Sequence, residues 1–435
     1  MTRKPAVAGQ FYPSSATKLK AMIESMVDRT AAKSEVVGAV VPHAGYIYSG
    51  PVAAAVFSRI KFKDTFIILG PNHTGYGRPL SILAGGDWQT PLGNVAIDSA
   101  LAGKILAGSE YLAEDSLSHQ YEHAIEVQVP FLQYFKSDVK IVPIVLGPAS
   151  AEACKGIGRE ITRAVKEYGR EVVILASSDM THYEPQKSAQ SKDDQAIAAI
   201  LDFNEDELLK KVAGLNIPMC GAVPVACLIA AARELGATGA ELVDYRTSGA
   251  ATGDYHSVVG YAGIILKKIH PMVSLAREAV TGYIKTHKVL KPSEITPEMK
   301  GRAGVFVSIH KHGDLRGCIG TIEPTRHNIA EEIITNAISS ATNDPRFPPV
   351  TAGELAQLDY KVDVLTSPEP AKSTDELDPR KYGVIVEAGF RRGLLLPDLE
   401  GVTSADHQID ICRRKAGIAP DEPVRLYRFE VNRYQ

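Results

Sequence analysis

Three runs of apolar residues in the first half of the chain are continuous rather than alternating. They are Val36–Val41, Phe66–Leu69 and Val172–Leu175. A short aliphatic run bounded by turn-forming residues predicts a strand that is buried on both faces of a sheet. Segments of helical character separate the three runs. The pattern therefore predicts an α/β fold, a mainly parallel sheet flanked by helices, for residues 1–268.

The pattern changes after residue 268. An amphipathic helix is predicted over 272–287, and a Gly-Asp turn then joins two strands within 304–321 as a hairpin. The remaining sequence mixes strands with one helix near 404–416. We therefore predict two domains, residues 1–268 and a smaller α+β domain over residues 269–435.

Composition narrows the class of protein. The chain has 435 residues, 45% hydrophobic residues and a net charge of −3, which is typical of a soluble protein with two domains. No apolar run approaches the roughly 20 residues that span a bilayer, and no basic stripe with interleaved aromatic residues indicates nucleic-acid binding. The 5 cysteines show no paired spacing, which predicts a reducing compartment, and hence the cytoplasm, rather than a disulfide framework.

Polar residues follow each of the three predicted strands. His43 and His73 come directly after the first two strands, and Asp179 and His182 come after the third. The carboxyl ends of parallel strands share one edge of a sheet, where ligands bind. Neutral imidazole is a ligand for iron, copper, zinc and nickel, so we predict a metal site that contains His43 and His73. A single histidine at a strand end also occurs as an ordinary polar residue.

Cys220 is the candidate for a third metal ligand. It lies between two prolines and directly before a predicted helix, where the thiol pKa is lowered. The alternative is a small buried side chain, the usual role of a free cysteine. Asp179 is predicted to orient a metal-bound histidine or the substrate, and His182 to act as a general acid or base. The alternative for Asp179 is a helix cap.

The segment 118–135 is predicted to begin as a helix, which would place His119, His123 and Glu126 on one face. His119 to His123 also has the order of the inverted zinc-protease motif H-x-x-E-H. A pattern this short recurs by chance, and no further ligand follows it. We therefore keep His123 and Glu126 as secondary candidates for catalytic residues.

In the second domain, Arg316 and Cys318 share one face of a predicted strand. Together with Asp344 and Arg346 they could form an anion pocket. The alternative is an arginine paired with a carboxylate and a cysteine packed inside the domain.

Five separated motifs carry a resemblance to a known family. They are PHAGYIYSG (42–50), LGPNHTGYG (69–77), EHAIEVQVPFL (122–132), SSDMTHY (177–183) and MCGAVPV (219–225). Over roughly residues 1–268 the chain resembles the Memo family. That family is similar in fold to the class III extradiol ring-cleavage dioxygenases, whose non-haem iron is held by two histidines and one carboxylate.

The resemblance implies roles for the candidate residues. His43 and His73 match the two histidine ligands, and Cys220 falls where the Memo family has its cysteine. Asp179 and His182 match the Asp and His beside the metal, with His182 in the place of the dioxygenase acid/base histidine. Fe(II) is the expected cofactor. Because a thiolate replaces the carboxylate, copper and zinc are compatible alternatives.

Residues from about 270 to 435 resemble the AMMECR domain, through the motifs LRGCIGT (315–321) and NDPRFPP (343–349). The combination of the two domains resembles bacterial and archaeal systems in which Memo-like, AMMECR-like and radical-SAM proteins occur together. A radical-SAM protein is therefore an expected partner.

The leading functional hypothesis is a metal-dependent, dioxygenase-like oxidoreductase that acts on a small substrate. A second hypothesis is a non-catalytic binding module that recognises a peptide or a phosphorylated ligand in the same cleft. A third is metal-assisted hydrolysis, with Asp179 or Glu126 as the base.

Overall fold

The computed structural model describes residues 2–292, 295–311, 313–399 and 401–435. These residues form two compact units, Met1–Lys268 and Ile269–Gln435. Each unit buries apolar cores of its own. Among the described residues, no helix is both long enough and apolar enough to cross a bilayer.

The first unit contains twelve strands and ten helices among its described residues. The strands are β1 (Thr2–Arg3), β2 (Val36–Val41), β3 (Thr65–Pro71), β4 (Leu80–Ile82), β5 (Asp87–Thr90), β6 (Gly93–Ala96), β7 (Ala113–Glu114), β8 (Lys140–Leu146), β9 (Val172–Ser177), β10 (His182–Glu184), β11 (Gly239–Thr247) and β12 (Val258–Lys267). The helices are α1 (Ala16–Met26), α2 (Tyr46–Arg59), α3 (Ser99–Ala107), α4 (Leu117–Gln120), α5 (Val129–Phe135), α6 (Ala151–Tyr168), α7 (Gln186–Leu201), α8 (Glu205–Gly214), α9 (Ala222–Glu234) and α10 (Gly249–Thr252).

A large sheet runs through the first unit in the order β10-β12-β2-β9-β3-β8-β4-β7, and β11 pairs with β12. The three apolar runs of the sequence form β2, β3 and β9. Strands β2, β9, β3 and β8 are parallel neighbours at the centre of the sheet. Their carboxyl ends therefore lie at one edge, and this edge carries the candidate site.

The sheet is mixed rather than mainly parallel. Strand β12 is antiparallel to both β2 and β11, and β4 is antiparallel to β8. Antiparallel neighbours need only a short connection, whereas parallel neighbours need a crossover. The α/β class predicted from the sequence is confirmed, but the parallel arrangement is limited mostly to the central strands.

The predicted helix over 118–135 is interrupted. Helix α4 ends at Gln120, a 3₁₀ helix covers Glu126–Gln128, and α5 then begins at Val129. Residues 121–125 lie between these elements, outside any helix. The i, i+4 spacing of His119 and His123 therefore does not place them on one helical face, and that prediction was wrong.

The described residues of the second unit form two four-stranded sheets, in the orders β14-β13-β15-β20 and β16-β19-β17-β18. Its strands are β13 (Val305–Lys311), β14 (Asp314–Gly320), β15 (Leu358–Leu365), β16 (Glu369–Ala371), β17 (Gly383–Ala388), β18 (Arg391–Leu395), β19 (Arg425–Phe429) and β20 (Val431–Tyr434). Its helices are α11 (Pro271–Thr286), α12 (Ile329–Thr342) and α13 (Ala405–Ala416), with 3₁₀ helices at Pro297–Met299, Ala352–Gln357 and Thr374–Glu376. Helices α11 and α12 share an apolar core with β13 and β15, and α13 shares one with β17 and β18.

Candidate metal centre

Three histidines meet at the carboxyl edge of the central strands. One ring nitrogen of each of His43, His73 and His123 lies within 4.8 Å of those of the other two. The ring centroids are 5.1 Å apart for His43 and His73, and 4.6 Å apart for His73 and His123. In the described part of the chain, no other group of histidine, cysteine and acidic side chains meets the same distance limit.

Glu122 orients two of these histidines. Its Oε1 lies 2.9 Å from Nδ1 of His73 and 3.4 Å from Nδ1 of His123, and its Oε2 accepts the His73 backbone N–H at 2.6 Å. A carboxylate that accepts from Nδ1 fixes the imidazole tautomer and leaves Nε2 as the free electron-pair donor. The Nε2 atom of His73 is therefore available to a metal, whereas His123 makes only the 3.4 Å contact with this carboxylate.

Ser177 fixes the tautomer of His43. Its hydroxyl donates to the Ala124 carbonyl at 2.7 Å and accepts from the Gln128 side-chain amide at 2.9 Å. Nδ1 of His43 lies 3.0 Å from the same oxygen. Because the hydroxyl proton is already donated, His43 Nδ1 must be the donor in this contact. His43 Nε2 is left unprotonated.

The environment keeps His43 and His123 neutral. Burial lowers the pKa of His43 well below its ordinary value, and the neighbouring His123 and His73 lower it further. Burial also lowers the pKa of His123, against the opposing charge of Glu122. Neutral imidazole is the form that ligates metals, and His73 is exposed enough to leave the cluster open to solvent.

Cys220 lies beside the cluster but outside its mutual 4.8 Å limit. Its Sγ is 3.2 Å from His43 Nε2 and accepts the Asp179 backbone N–H at 3.3 Å. Burial, and next the charge of Asp179, raises the pKa of this thiol above its ordinary value. Cys220 thus lies next to one predicted ligand, His43. The third member of the cluster of ring nitrogens is His123 rather than Cys220.

Asp179 lies on the loop after β9, next to Cys220, and His182 is the first residue of β10. Asp179 Oδ1 accepts the His43 backbone N–H at 2.8 Å, and burial raises the pKa of this carboxyl to about 6. His182 Nδ1 lies 2.8 Å from the carbonyls of both Met180 and Pro218, so Nδ1 carries the proton and Nε2 is free to accept one. Asp179 is not the N-cap of the next helix, because α7 begins only at Gln186.

Glu126 and His119 do not face the three histidines. Both carboxylate oxygens of Glu126 are occupied, by Arg3, by the Ala6 and Val7 backbone N–H groups and by the Tyr12 hydroxyl. It therefore anchors the N-terminal segment and is not a catalytic base, which corrects the prediction. His119 is fully buried, and burial lowers its pKa to about 3.

Glu122 is the site residue that the sequence prediction omitted. It was seen only as part of the H-x-x-E-H order, on a helix that the structure interrupts. Its direct neighbour His123 was assigned a secondary catalytic role rather than a ligand role. No local signal in the sequence identifies either residue as part of the site.

The two arginines among the four predicted residues of the second unit form separate ion pairs rather than an anion pocket. Arg316 pairs with Glu354 at 3.1 Å, and it donates to the Pro348 carbonyl at 2.8 Å. Arg346 pairs with Asp344 at 2.7 Å and donates to the Cys318 carbonyl at 3.1 Å. Asp344 in turn accepts the Cys318 backbone N–H at 2.8 Å.

Each arginine therefore already has its carboxylate, and the predicted pocket carries no free positive charge. Cys318 is half-buried, and burial raises the pKa of its thiol. The geometry matches the packing alternative for these residues.

Comparison with known proteins identifies a family for each unit and relatives of the first unit. The family described as Memo-like protein matches residues 3–265, and the family described as AMMECR1 matches residues 273–434. A MEMO1 family protein of Methanococcoides burtonii is 48% identical over 267 residues, which are 61% of this chain and 100% of that protein. A MEMO1 family protein of Aquifex aeolicus is 44% identical over 265 residues, or 60% of this chain and 98% of that protein.

Among solved structures, an uncharacterised protein from Pyrococcus horikoshii is 35% identical and covers 37% of this chain and 88% of that one. Its TM-score is 0.35, too low to support an argument about the fold. The family assignment depends on the sequence matches instead. Since the first match covers more than half of the 435 residues, the chain belongs to the family of Memo-like proteins, with an AMMECR1 domain after the Memo-like one.

Proposed function

We propose that the first unit is a non-haem iron oxidoreductase that acts on a small chelating substrate. His43, His73 and His123 would hold Fe(II), with the Cys220 thiol beside them. The observation that carries the proposal is the group of three ring nitrogens within 4.8 Å of one another. The resemblance to the extradiol dioxygenases supports the choice of redox chemistry but does not extend to the ligand set.

The donor set fits a borderline transition metal. His43 and His73 have Nδ1 hydrogen-bonded to Ser177 and Glu122, which leaves their Nε2 atoms without a proton, and His123 lies beside the same Glu122 carboxylate. Imidazole ligands suit iron, copper and zinc, and the nearby thiol adds preference for the softer ions. When bound, iron supplies the dioxygen and electron-transfer chemistry that side chains lack.

The remaining residues would handle protons and orientation. His182 Nε2 is free to accept a proton from a substrate hydroxyl, because Nδ1 is held by two carbonyl oxygens. Asp179 holds the backbone of His43 and so fixes where the first imidazole lies. The exposure of His73 leaves room for a small substrate to reach the site from solvent.

Oxygen uptake after anaerobic loading with Fe(II) tests the proposal. We expect uptake with catechol-like substrates, and a loss of at least a hundredfold, about 2.7 kcal/mol of activation free energy, in His43→Ala and His123→Ala. His256→Ala is the matched control, because His256 is exposed on a loop of the same unit. Uptake that stays at the level of His43→Ala across the substrate set would contradict oxygenase chemistry.

The competing hypothesis is a binding module without turnover. It predicts that a ligand binds equally well before and after the metal is stripped with a chelator. Metal-dependent ligand binding together with uptake would support the enzyme. The radical-SAM partner and the role of the AMMECR1 domain stay predictions.

A further inference from the structure

The segment 119–126 carries Glu122 and His123 but has little regular structure to hold it in place. Helix α4 ends at Gln120, and the next helical residue is Glu126. Backbone carbonyls that leave a helix need other hydrogen-bond partners when they are buried. The position of the third imidazole therefore depends on contacts from elsewhere in the fold.

Arg3 supplies those contacts from 116 residues away in the sequence. Its Nε donates to the His119 carbonyl at 3.0 Å, and its Nη2 donates to the Glu122 carbonyl at 2.7 Å. Nη1 forms an ion pair with Glu126. One guanidinium thus binds the start, the middle and the end of the segment 119–126.

The environment of Arg3 fixes the guanidinium itself. Arg3 is 6% exposed, and its Cζ lies 4.4 Å from the centre of the Trp88 ring. Strand β1, which contains Arg3, pairs in parallel with β5, which contains Trp88. A buried arginine stacked on an indole presents its donors in a rigid fork, which a lysine cannot reproduce.

The rest of residues 2–12, the N-terminal strap, reinforces this arrangement. The Ala6 N–H donates to Glu126 at 2.7 Å, and the Tyr12 hydroxyl donates to it at 2.6 Å. The Phe11 ring packs edge-on against the His123 ring, with centroids 4.9 Å apart. The strap therefore contacts the third imidazole directly and holds the backbone on both sides of it.

We infer that Arg3 is a positioning residue for the metal centre, which acts through Glu122 and His123 and touches neither metal nor substrate. This inference rests on the proposed metal site. Without the guanidinium, two carbonyls and the Glu126 carboxylate lose their shared partner, and the segment is free to turn His123 away from His43 and His73. The site then falls from three imidazoles to two.

Metal affinity of the full chain measures this effect without relying on activity. Competition of Co(II) against a chromophoric chelator gives the dissociation constant, and the visible spectrum of bound Co(II) reports the coordination number. We expect Arg3→Met to weaken binding by about 10–100-fold, the usual cost of losing an outer partner of a ligand. Arg3→Lys keeps the positive charge opposite Glu126 but lacks the planar set of guanidinium donors. We therefore expect Arg3→Lys to weaken Co(II) binding as well.

A double-mutant cycle separates positioning from general destabilisation. If Arg3 acts through Glu122 and His123, adding Arg3→Met to His123→Ala causes a clearly smaller loss of affinity than it causes in the unaltered chain. An equal loss in both backgrounds would show a global effect and overturn the inference. Should Arg3→Met fail to fold, Arg3→Lys takes its place in the same cycle.

Arg29→Met is the matched control, because the Arg29 side chain is 70% exposed and pairs only at the surface. Its affinity should equal that of the unaltered chain. Failure of the unaltered chain to bind Co(II) would contradict the proposed function. Normal binding by both Arg3 variants, alongside normal binding by the unaltered chain, would contradict this inference alone.

Discussion

At the residue scale, the site depends on which nitrogen of each imidazole carries the proton. Glu122 and the Ser177 hydroxyl oxygen accept from the Nδ1 atoms of His73 and His43, so they select the same tautomer in these two histidines. A neutral imidazole with a free Nε2 is ready to bind a metal without first losing a proton. Two oxygen-bearing side chains thus prepare two of the three proposed ligands.

Glu122→Gln tests the shared role of this carboxylate. An amide offers a single acceptor oxygen, so it cannot replace both carboxylate oxygens, which accept from Nδ1 and from the backbone N–H of His73. We expect Co(II) affinity to fall by about 10–100-fold. Glu152→Gln, at a side chain that is 74% exposed, is the control. Equal affinities in Glu122→Gln and the unaltered chain would contradict the assignment.

Part of this site could be predicted from the sequence at the residue scale. Apolar strands that end in His43, His73 and Asp179 lead to one edge of a parallel sheet, and in the structure these residues lie together there. The proposed ligand role of His123 could not be predicted in the same way. The segment that carries it is bound by Arg3 through the His119 and Glu122 carbonyls, and no local sequence pattern encodes so distant a contact.

At the element scale, close approach of backbones brings Cys220 to the site. Helix α9 begins directly after Gly221, and a Cβ atom on Gly221 would lie 2.5 Å from the Ser177 carbonyl oxygen. Only glycine lets the start of this helix approach the end of β9 so closely. The Cys220 thiol consequently reaches His43, although 177 residues separate the two in the sequence.

In the mixed sheet, the direction of each strand is harder to predict from the sequence than its position along the chain. The continuous apolar runs predict that β2, β3 and β9 are buried, and the structure buries them. Strand β12 is equally apolar, but it enters the sheet antiparallel to β2. Burial determines the hydrophobic pattern, whereas strand direction is determined by connections that the pattern does not record.

In the second unit, the ion pair between Arg316 on β14 and Glu354 on a 3₁₀ helix predicts a pH dependence of stability. The hydrogen bond from Arg316 lowers the pKa of Glu354 from its usual 4.5 to about 2. Because the folded state holds this carboxylate ionised, its contribution is complete above pH 4.5 and is lost as the pH falls towards 2.

Glu354→Gln should therefore lower the free energy of unfolding of this unit by about 1–3 kcal/mol at neutral pH. The difference from the unaltered chain should shrink between pH 4.5 and about 2, as followed by urea unfolding across that range. Glu278→Gln, at an exposed position of α11, serves as the control. A difference that does not vary with pH would indicate that Arg316 does not hold this carboxylate ionised.

At the scale of the whole molecule, the chain divides into two compact units, with relatives that correspond to the first. The Methanococcoides burtonii relative matches over its entire length while covering 61% of this chain. The first unit also has its own apolar core, which supports treating the metal centre as a property of that unit. Composition and motif order could predict two domains, because each must bury a separate core.

The most direct test of the proposed three-histidine metal centre is anomalous diffraction at the iron edge. The crystals would contain the full chain loaded with Fe(II) under anaerobic conditions. The three-histidine centre predicts one strong peak within bonding distance of the Nε2 atoms of His43, His73 and His123. The peak should weaken or disappear in crystals of His123→Ala. A peak bound to His43, His73 and Cys220 with His123 turned away, or a peak elsewhere in the chain, would contradict the three-histidine centre.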